Sequence, residues 1–174
     1  MIAVDSPHLN DAQPAGYSLL QISLHWIIGA LVIFQMVFGE SMTHAVDAAA
    51  EGTVAAPSDA WLAWFYCWFG IAIPALVALR LVVRLARGVP AARTDTPFWT
   101  DMLARLAHGL FYVLLVAVPV TGLLGYYVEG PFGDIHAWAK PVFIELIAVH
   151  AAAALYHQLL EKDGTLIRML RPNA

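Results

Sequence analysis

The sequence is poor in the residues on which soluble and disulfide-stabilised proteins depend. Only 13% of its 174 residues are charged, whereas 60% are hydrophobic. Such a chain has too few polar side chains to cover a surface that faces water. The single cysteine, Cys67, excludes an internal disulfide bond and a metal cluster held by several thiolates. It lies in an apolar stretch, where a small packing residue is expected.

Basic residues are also scarce, with nine Lys and Arg in total and none in the first sixteen residues. The positive region of a secretory signal peptide is therefore missing, and we expect no cleavable signal. Residues 1–16 are polar and contain two prolines, which predicts a disordered tail. The few basic residues give no indication of nucleic-acid binding.

Long apolar runs dominate the rest of the chain, and four of them could each cross a bilayer as an α-helix. They cover about residues 17–39, 61–85, 101–127 and 135–160. An acidic linker, residues 40–60, separates the first two spans, and a polar tail follows at 162–174. The six tryptophans and six tyrosines suit the aromatic belts of a membrane protein. The sequence thus predicts an all-α integral membrane four-helix bundle at residues 17–161.

The distribution of positive charge predicts the orientation of this bundle. Only Lys140 lies at the edge that faces away from the termini. The other eight basic residues lie near the loop between spans two and three or in the C-terminal tail: Arg80, Arg84, Arg87, Arg93, Arg105, Lys162, Arg168 and Arg171. The positive-inside rule then places both termini in the cytoplasm and gives an up-down-up-down bundle.

Histidines recur at regular positions in the fourth span. His136 and His150 are 14 residues apart, which on an α-helix places them on nearly the same face and about 21 Å apart along the axis. His157 lies two turns beyond His150 on the same stripe. Imidazoles at two depths of one apolar helix indicate a protein that moves something across a membrane.

Histidines of other spans match these two depths. His25 and His108 lie in the cytoplasmic half, near the depth of His150, whereas His44 lies near the outer edge with His136. Polar groups in lipid are costly unless they are paired or ligated. Opposed neutral imidazoles in an apolar bundle suit the two axial positions of a haem. Spacing alone does not choose the inner pair among the three inner histidines.

Two arginines one turn apart, Arg80 and Arg84, lie near the cytoplasmic end of the second span. They fit two interpretations. One is a pair of anchors whose charged ends reach the interface. The other is a cationic clamp for a buried anion such as a carboxylate.

Four stretches together resemble the bacterial cytochrome b561 family, the four-helix, quinone-linked membrane cytochromes that include superoxide–ubiquinone oxidoreductase. The first is Tyr-Ser-Leu-Leu-Gln-Ile-Ser-Leu-His-Trp at 17–26, and the second is Gly70 followed by the helix end at 80–84. The third is Ala-His-Gly-Leu-Phe-Tyr at 107–112, continued by Pro119 and Gly122. The fourth runs from Val149 through the tail to Met169.

The resemblance implies a set of ligands for haem b. His25 and His150 would be the axial pair of an inner haem that joins spans one and four, and His136 would be one ligand of an outer haem. The resemblance further implies that His108 and His157 lie around the haem or at a quinone site. Arg80 and Arg84 would pair with propionates.

The sequence departs from the family pattern at Tyr66, where the family's outer haem takes its second histidine. Three interpretations stay open. The outer haem is absent, or Tyr66 ligates as tyrosinate, or His44 supplies the missing ligand from the linker. The aromatic residues around Tyr66 favour the first, because they would fill the space of a missing porphyrin.

These observations predict a membrane b-type cytochrome that carries single electrons between a donor and the quinone pool. His108, His157 and Glu161 are candidates for the protons that quinone reduction requires. The resemblance implies a multi-pass protein of the bacterial inner membrane, with a homodimer as one possible assembly. One alternative is a membrane-anchor subunit of a larger dehydrogenase or hydrogenase-type complex, with a periplasmic redox partner docked on the acidic linker. Another is a non-redox transporter or structural bundle, in which Glu145 would be the residue to suspect.

Overall fold

The computed structural model describes residues 16–90, 98–128 and 130–172. Four long helices form the fold: α1 (Leu19–Ala50), α2 (Pro57–Arg87), α3 (Phe98–Tyr127) and α4 (Phe132–Tyr156). One π-helical turn (His157–Glu161) and a short helix, α5 (Thr165–Arg168), follow. All four long helices are long and apolar enough to cross a membrane. The prediction of an all-helical fold with four membrane-spanning helices is confirmed.

The first helix continues well past the predicted span. It runs to Ala50, because after Gly39 the chain has no glycine or proline before Gly52. Gly52 has a φ of 68°, and its N–H donates to Ala49 O at 3.2 Å, a typical way to end a helix. Residues 40–50 of the expected linker are therefore helical, and where the membrane span itself ends stays a prediction. The remaining connection is short, and Pro57 opens α2 in its first turn.

Contacts between helices set their relative directions. At one end of the bundle, the Gln21 side chain near the start of α1 donates to Gly88 O just after α2, at 3.0 Å. Towards the other end, Gln35 Nε2 of α1 donates to Tyr66 O of α2, at 3.0 Å. The helices α1 and α2 are therefore antiparallel. The end that holds the start of α1 is called the inner end below; its location at the cytoplasmic face stays a prediction.

The third and fourth helices are antiparallel as well. His108 and His150 have adjacent rings near the inner end, and His136 bonds to Val118 O near the other end. The two helices come closest at Gly125 and Gly133, where a Cβ atom on Gly125 would lie 2.8 Å from Gly133 N. The two glycines lie on either side of the short turn between α3 and α4, which brings their backbones together.

The buried core is small and lies where α1, α2 and α4 meet. It consists of Ile28, Val32, Ile73, Val77, Ala139 and Phe143. Most other large apolar side chains face outward, among them Trp61, Leu85 and Trp138, which are exposed by 67%, 77% and 74%. A water-soluble protein would not expose so much apolar surface, but lipid solvates it without cost. The exterior is therefore suited to a bilayer.

The N-terminal tail predicted for residues 1–16 lies almost entirely outside the described residues, as does part of the loop predicted between α2 and α3. The C-terminal segment is held against the bundle, since Trp26 Nε1 on α1 donates to Met169 O at 2.7 Å. This bond fixes α5 beside the start of α1, close to the inner histidines.

Candidate haem site

Three helices each bring one histidine to the same place near the inner end. His25 on α1 and His150 on α4 have ring centroids 6.3 Å apart, with 55° between the ring planes. His108 on α3 also lies beside His150, with a centroid distance of 5.6 Å and nearly perpendicular rings. The three residues that the sequence places at one depth are thus neighbours, and they are called the inner cluster below.

The ring nitrogens of the inner cluster differ in their partners. His108 Nδ1 lies 2.6 Å from Ala104 O, one turn earlier on α3. A carbonyl oxygen only accepts, so Nδ1 carries the hydrogen and Nε2 is left as the free nitrogen. Within the described ranges, neither His25 nor His150 has a hydrogen bond to its ring nitrogens. Both rings therefore keep nitrogen lone pairs that a metal ion can use.

A cavity of about 70 Å³ lies beside these rings. Its lining comes from α1, α2 and α3: His25, Ile28, Val77, Arg80, His108, Phe111, Tyr112 and Leu115. The Tyr112 hydroxyl is buried and has no hydrogen-bond partner among the described residues. An orphaned hydroxyl in a cavity wall is costly, and a bound group that accepts a hydrogen bond would satisfy it.

The inner cluster fits the axial ligation of a haem. Metal–imidazole nitrogen bonds of about 2 Å place the centroids of two axial imidazole rings roughly 6 Å apart. The His25–His150 distance of 6.3 Å matches this spacing. A porphyrin is larger than the cavity, so its binding has to displace some of the apolar side chains of the lining.

A second, smaller cavity of about 20 Å³ lies nearer the inner end and is more polar. Arg80 and His108 line both cavities, and Arg84 joins them in the second. Arg80 Nη1 donates to Gln21 O at 3.2 Å, which holds the guanidinium between α1 and α2. Two cations beside an apolar cavity suit a ligand with carboxylates at one edge. Of the two sequence-based interpretations, the geometry favours the cationic clamp.

A capping box fixes the start of α1 beside this cavity. Gln21 Oε1 accepts hydrogen bonds from Ser18 N at 2.9 Å and Ser18 Oγ at 3.0 Å, and Ser18 Oγ accepts from Gln21 N at 3.4 Å. The capped turn places Gln21 one turn before His25, on the same face. The cap therefore contributes to the position of His25.

His157 lies apart from both cavities, in the π-helical turn that follows α4. Its Nδ1 lies 2.7 Å from Glu161 Oε2 and 3.2 Å from Asp163 Oδ2. Thr165 holds Asp163 through its N–H at 2.8 Å and its hydroxyl at 2.7 Å. Burial raises the pKa of Asp163, but these two hydrogen bonds and the nearby His157 and Arg168 outweigh it, so its pKa is lowered. Two carboxylates, those of Glu161 and Asp163, therefore lie within reach of the His157 ring at the inner end.

Further from the inner end, around His136, the histidine is hydrogen-bonded to other side-chain and backbone groups. The Tyr66 hydroxyl of α2 lies 2.8 Å from His136 Nε2 of α4, and His136 Nδ1 lies 2.9 Å from Val118 O of α3. The third residue expected at this level, His44, is 56% exposed and pairs with Asp59 Oδ2 at 3.3 Å. Tyr66 and His136, called the outer pair below, are thus brought together, whereas His44 is directed elsewhere.

Some residues around the inner cluster have no role in the sequence-based predictions. Tyr17 and Gln21 line the polar cavity, and Tyr112 lines the apolar one. Their spacing carries a signal, since Gln21 lies four residues before His25 and Tyr112 lies four residues after His108. Residues four apart share a helix face, so Gln21 is expected on the face of His25 and Tyr112 on the face of His108.

A four-helix membrane bundle with clustered imidazoles defines a class, the membrane b-type cytochromes, and comparison with known proteins assigns the family. The family described as prokaryotic cytochrome b561 matches residues 16–172. The chain belongs to this family, and haem b is the cofactor that the family implies. The resemblance seen in the sequence is confirmed.

Individual relatives agree with this assignment. Cytochrome b562 of Cereibacter sphaeroides is 37% identical over 165 residues, which cover 92% of this chain and 98% of the relative. The probable superoxide oxidase CybB of Yersinia pestis is 28% identical over 88% of this chain and 95% of the relative. Cytochrome b561 homolog 1 of Escherichia coli is 31% identical over 58% of this chain and 70% of the relative.

Proposed function

We propose that the protein carries single electrons to or from the quinone pool through a haem b held between His25 and His150. The observation that carries this proposal is the pair of imidazoles on α1 and α4, whose ring centroids lie 6.3 Å apart. Their ring nitrogens have no hydrogen bonds to the rest of the described chain. Family membership favours this redox function over a non-redox bundle.

His108 competes with His25 as the partner of His150, and distance favours His25. The His108–His150 centroid distance is 5.6 Å, which is less than the roughly 6 Å that two axial metal–imidazole bonds need. The resemblance to the family points to the same choice. His108, which lines both cavities, is then free to act beside the haem.

Haem b would supply a one-electron centre there, and His25 and His150 would hold its iron. The protein's own residues do the rest. Arg80 and Arg84 would pair with the propionates, because both line the polar cavity at the inner end. His108, which lines that cavity, and His157, which pairs with Glu161 beyond it, would give and take the protons of quinone chemistry.

Substitution of the two proposed ligands tests the assignment. Purified His25→Ala and His150→Ala proteins should each lose the low-spin b-type absorption spectrum and the haem measured as pyridine haemochrome. His44→Ala is the matched control, since it removes an exposed histidine of the same helix as His25 and should retain the spectrum. Full haem in both ligand variants would refute the proposal, and haem loss in His108→Ala but not in His25→Ala would make His108 the ligand.

The link to quinone is tested separately. Reduced wild-type protein mixed with a water-soluble ubiquinone analogue should be reoxidised, as followed by stopped-flow absorption. His108→Ala should retain its haem but show slower reoxidation, because a proton-transferring group beside the haem is lost. If the His108→Ala protein is reoxidised at the wild-type rate, His108 takes no part in the reaction with quinone.

A further inference from the structure

The outer pair occupies the level at which the family resemblance implies a second haem. Tyr66 stands where the second axial histidine is expected, and it faces His136, which the resemblance makes the first ligand. We propose that the Tyr66–His136 hydrogen bond closes this site and that the protein carries a single haem, at the inner cluster. The inference rests on the proposed function for the identity of the inner site.

Both ring nitrogens of His136 are already used. Val118 O can only accept, so His136 Nδ1 donates to it, at 2.9 Å. Nε2 of the neutral ring is then the acceptor, and the Tyr66 hydroxyl donates to it at 2.8 Å. The lone pair that an iron ion would need is therefore committed to the phenol. This contrasts with the inner cluster, where the rings of His25 and His150 have no such partner among residues 16–90, 98–128 and 130–172.

The distance also excludes Tyr66 and His136 as opposite ligands of one iron. Two metal–ligand bonds of about 2 Å each would separate the two donor atoms by roughly 4 Å. The observed distance of 2.8 Å is that of a direct hydrogen bond. Ligation by tyrosinate would also require the phenol to lose the proton with which it makes this bond.

The neighbouring helices pack tightly against the outer pair. A Cβ atom on Gly122 would lie 2.8 Å from both Cε1 and Nδ1 of His136, so the imidazole rests directly on the backbone of α3. On the other side, a Cβ atom on Gly39 would lie 3.5 Å from Cε2 of Tyr66, in ordinary contact with the phenol ring. The two rings thus fill the space between α1 and α3.

His44 offers no replacement ligand. It lies five residues beyond Gly39 on α1, which places it about 7.5 Å further along the helix axis than the contact with Tyr66. Its ring is largely exposed and is paired with Asp59. With one haem, electrons would enter and leave the protein near the inner end, because the outer half offers no second redox centre.

The haem-to-protein ratio of purified wild-type protein and of His136→Ala, measured by pyridine haemochrome, tests this inference. Both ratios should be near one, and the two proteins should have the same b-type spectrum. A wild-type ratio near two, or a ratio that falls in His136→Ala, would overturn the inference. A wild-type ratio near zero would instead refute the proposed function, so the two failures are distinguishable.

Two variants of Tyr66 test its specific role. Tyr66→Phe removes only the hydroxyl and should leave the ratio near one; a loss of haem in this variant would identify Tyr66 as a ligand. Tyr66→His restores the second imidazole and frees His136 Nε2, so in cells supplied with haem the ratio should rise from one towards two. An unchanged ratio would overturn the assignment of Tyr66 as the residue that closes the site.

Discussion

The contact between α3 and α4 at Gly125 allows a quantitative test of the packing. A Cβ atom at this position would lie 2.8 Å from N and 2.9 Å from Cα of Gly133, and 3.3 Å from C of Phe132. These are backbone atoms, so no side-chain rotation relieves the overlap. Because ordinary carbon contacts begin at about 3.5 Å, Gly125→Ala should push the two helices apart by roughly 0.6 Å or distort them.

The expected cost follows from a comparison with Gly109 on the same helix. A Cβ atom there would meet nothing within 4 Å. Both substitutions gain the same helix propensity, about 0.5–1 kcal/mol, and this gain cancels in the difference between the variants. What remains is the overpacking term, about 1–3 kcal/mol. At about 2–4 °C per kcal/mol for a chain of this size, Gly125→Ala should melt roughly 2–12 °C below Gly109→Ala.

The assay is thermal unfolding in detergent, followed by circular dichroism at the helical band or by fluorescence-detected size exclusion after heating. Both variants should be purified without added haem, so that changes in ligand binding do not contribute. Equal melting temperatures for Gly125→Ala and Gly109→Ala would refute the close backbone contact between α3 and α4.

Two further predictions concern the inner end. Ser18→Ala should lower stability by about 1 kcal/mol, because the first turn of α1 loses its capping box, and Ser18→Asp should restore most of it in the same melting assay. Asp163 has a lowered pKa in the folded protein, so its contribution to stability is fully present above its ordinary pKa and is lost as the pH falls through the folded value. Melting curves of Asp163→Asn should therefore depend less on pH below about 4 than those of the wild type; parallel pH profiles would contradict this.

The contacts of the outer pair show why one residue at a family position can change the chemistry of a site. A histidine at residue 66 would offer a second nitrogen ligand in place of the phenol hydroxyl. The Tyr66 phenol instead donates its hydroxyl hydrogen to His136 Nε2 at 2.8 Å, and this hydrogen bond uses the nitrogen that iron would need. Binding of a porphyrin there would have to break this bond and separate the two rings.

The acidic residues of the stretch 40–60 lie mostly on helices, not in the extended linker that the sequence suggests. Glu40 and Asp47 lie on the helical extension of α1, and Asp59 lies in the first turn of α2, where it pairs with His44. An acidic residue in a first helical turn is favoured by the helix dipole. These acidic residues therefore lie on helices, so any partner that docks on them would meet helical surfaces.

The sequence by itself determined the helices, the membrane class and the depths at which the candidate histidines lie. Long apolar runs can satisfy their backbone polar groups in lipid only as helices, and helical spacing placed His25, His108 and His150 at one depth. The helix α1 continues past the predicted span, because bilayer thickness sets the length of a span, whereas the helix ends only where Gly52 follows it.

Only the tertiary structure decided which side chains meet. The depth of a residue along a helix does not show in which direction around the helix axis its side chain points. The sequence therefore left open which histidine faces His150 and whether the ring nitrogens of His136 are hydrogen-bonded. The packing of α1 against α4 leaves 6.3 Å between the centroids of His25 and His150. The packing of α2 against α4 brings Tyr66 and His136 within hydrogen-bond distance. Within the described part of the chain, His25 and His150 therefore keep ring nitrogens without hydrogen bonds, whereas both nitrogens of His136 are bonded, because distances between helices depend on every contact that holds them together.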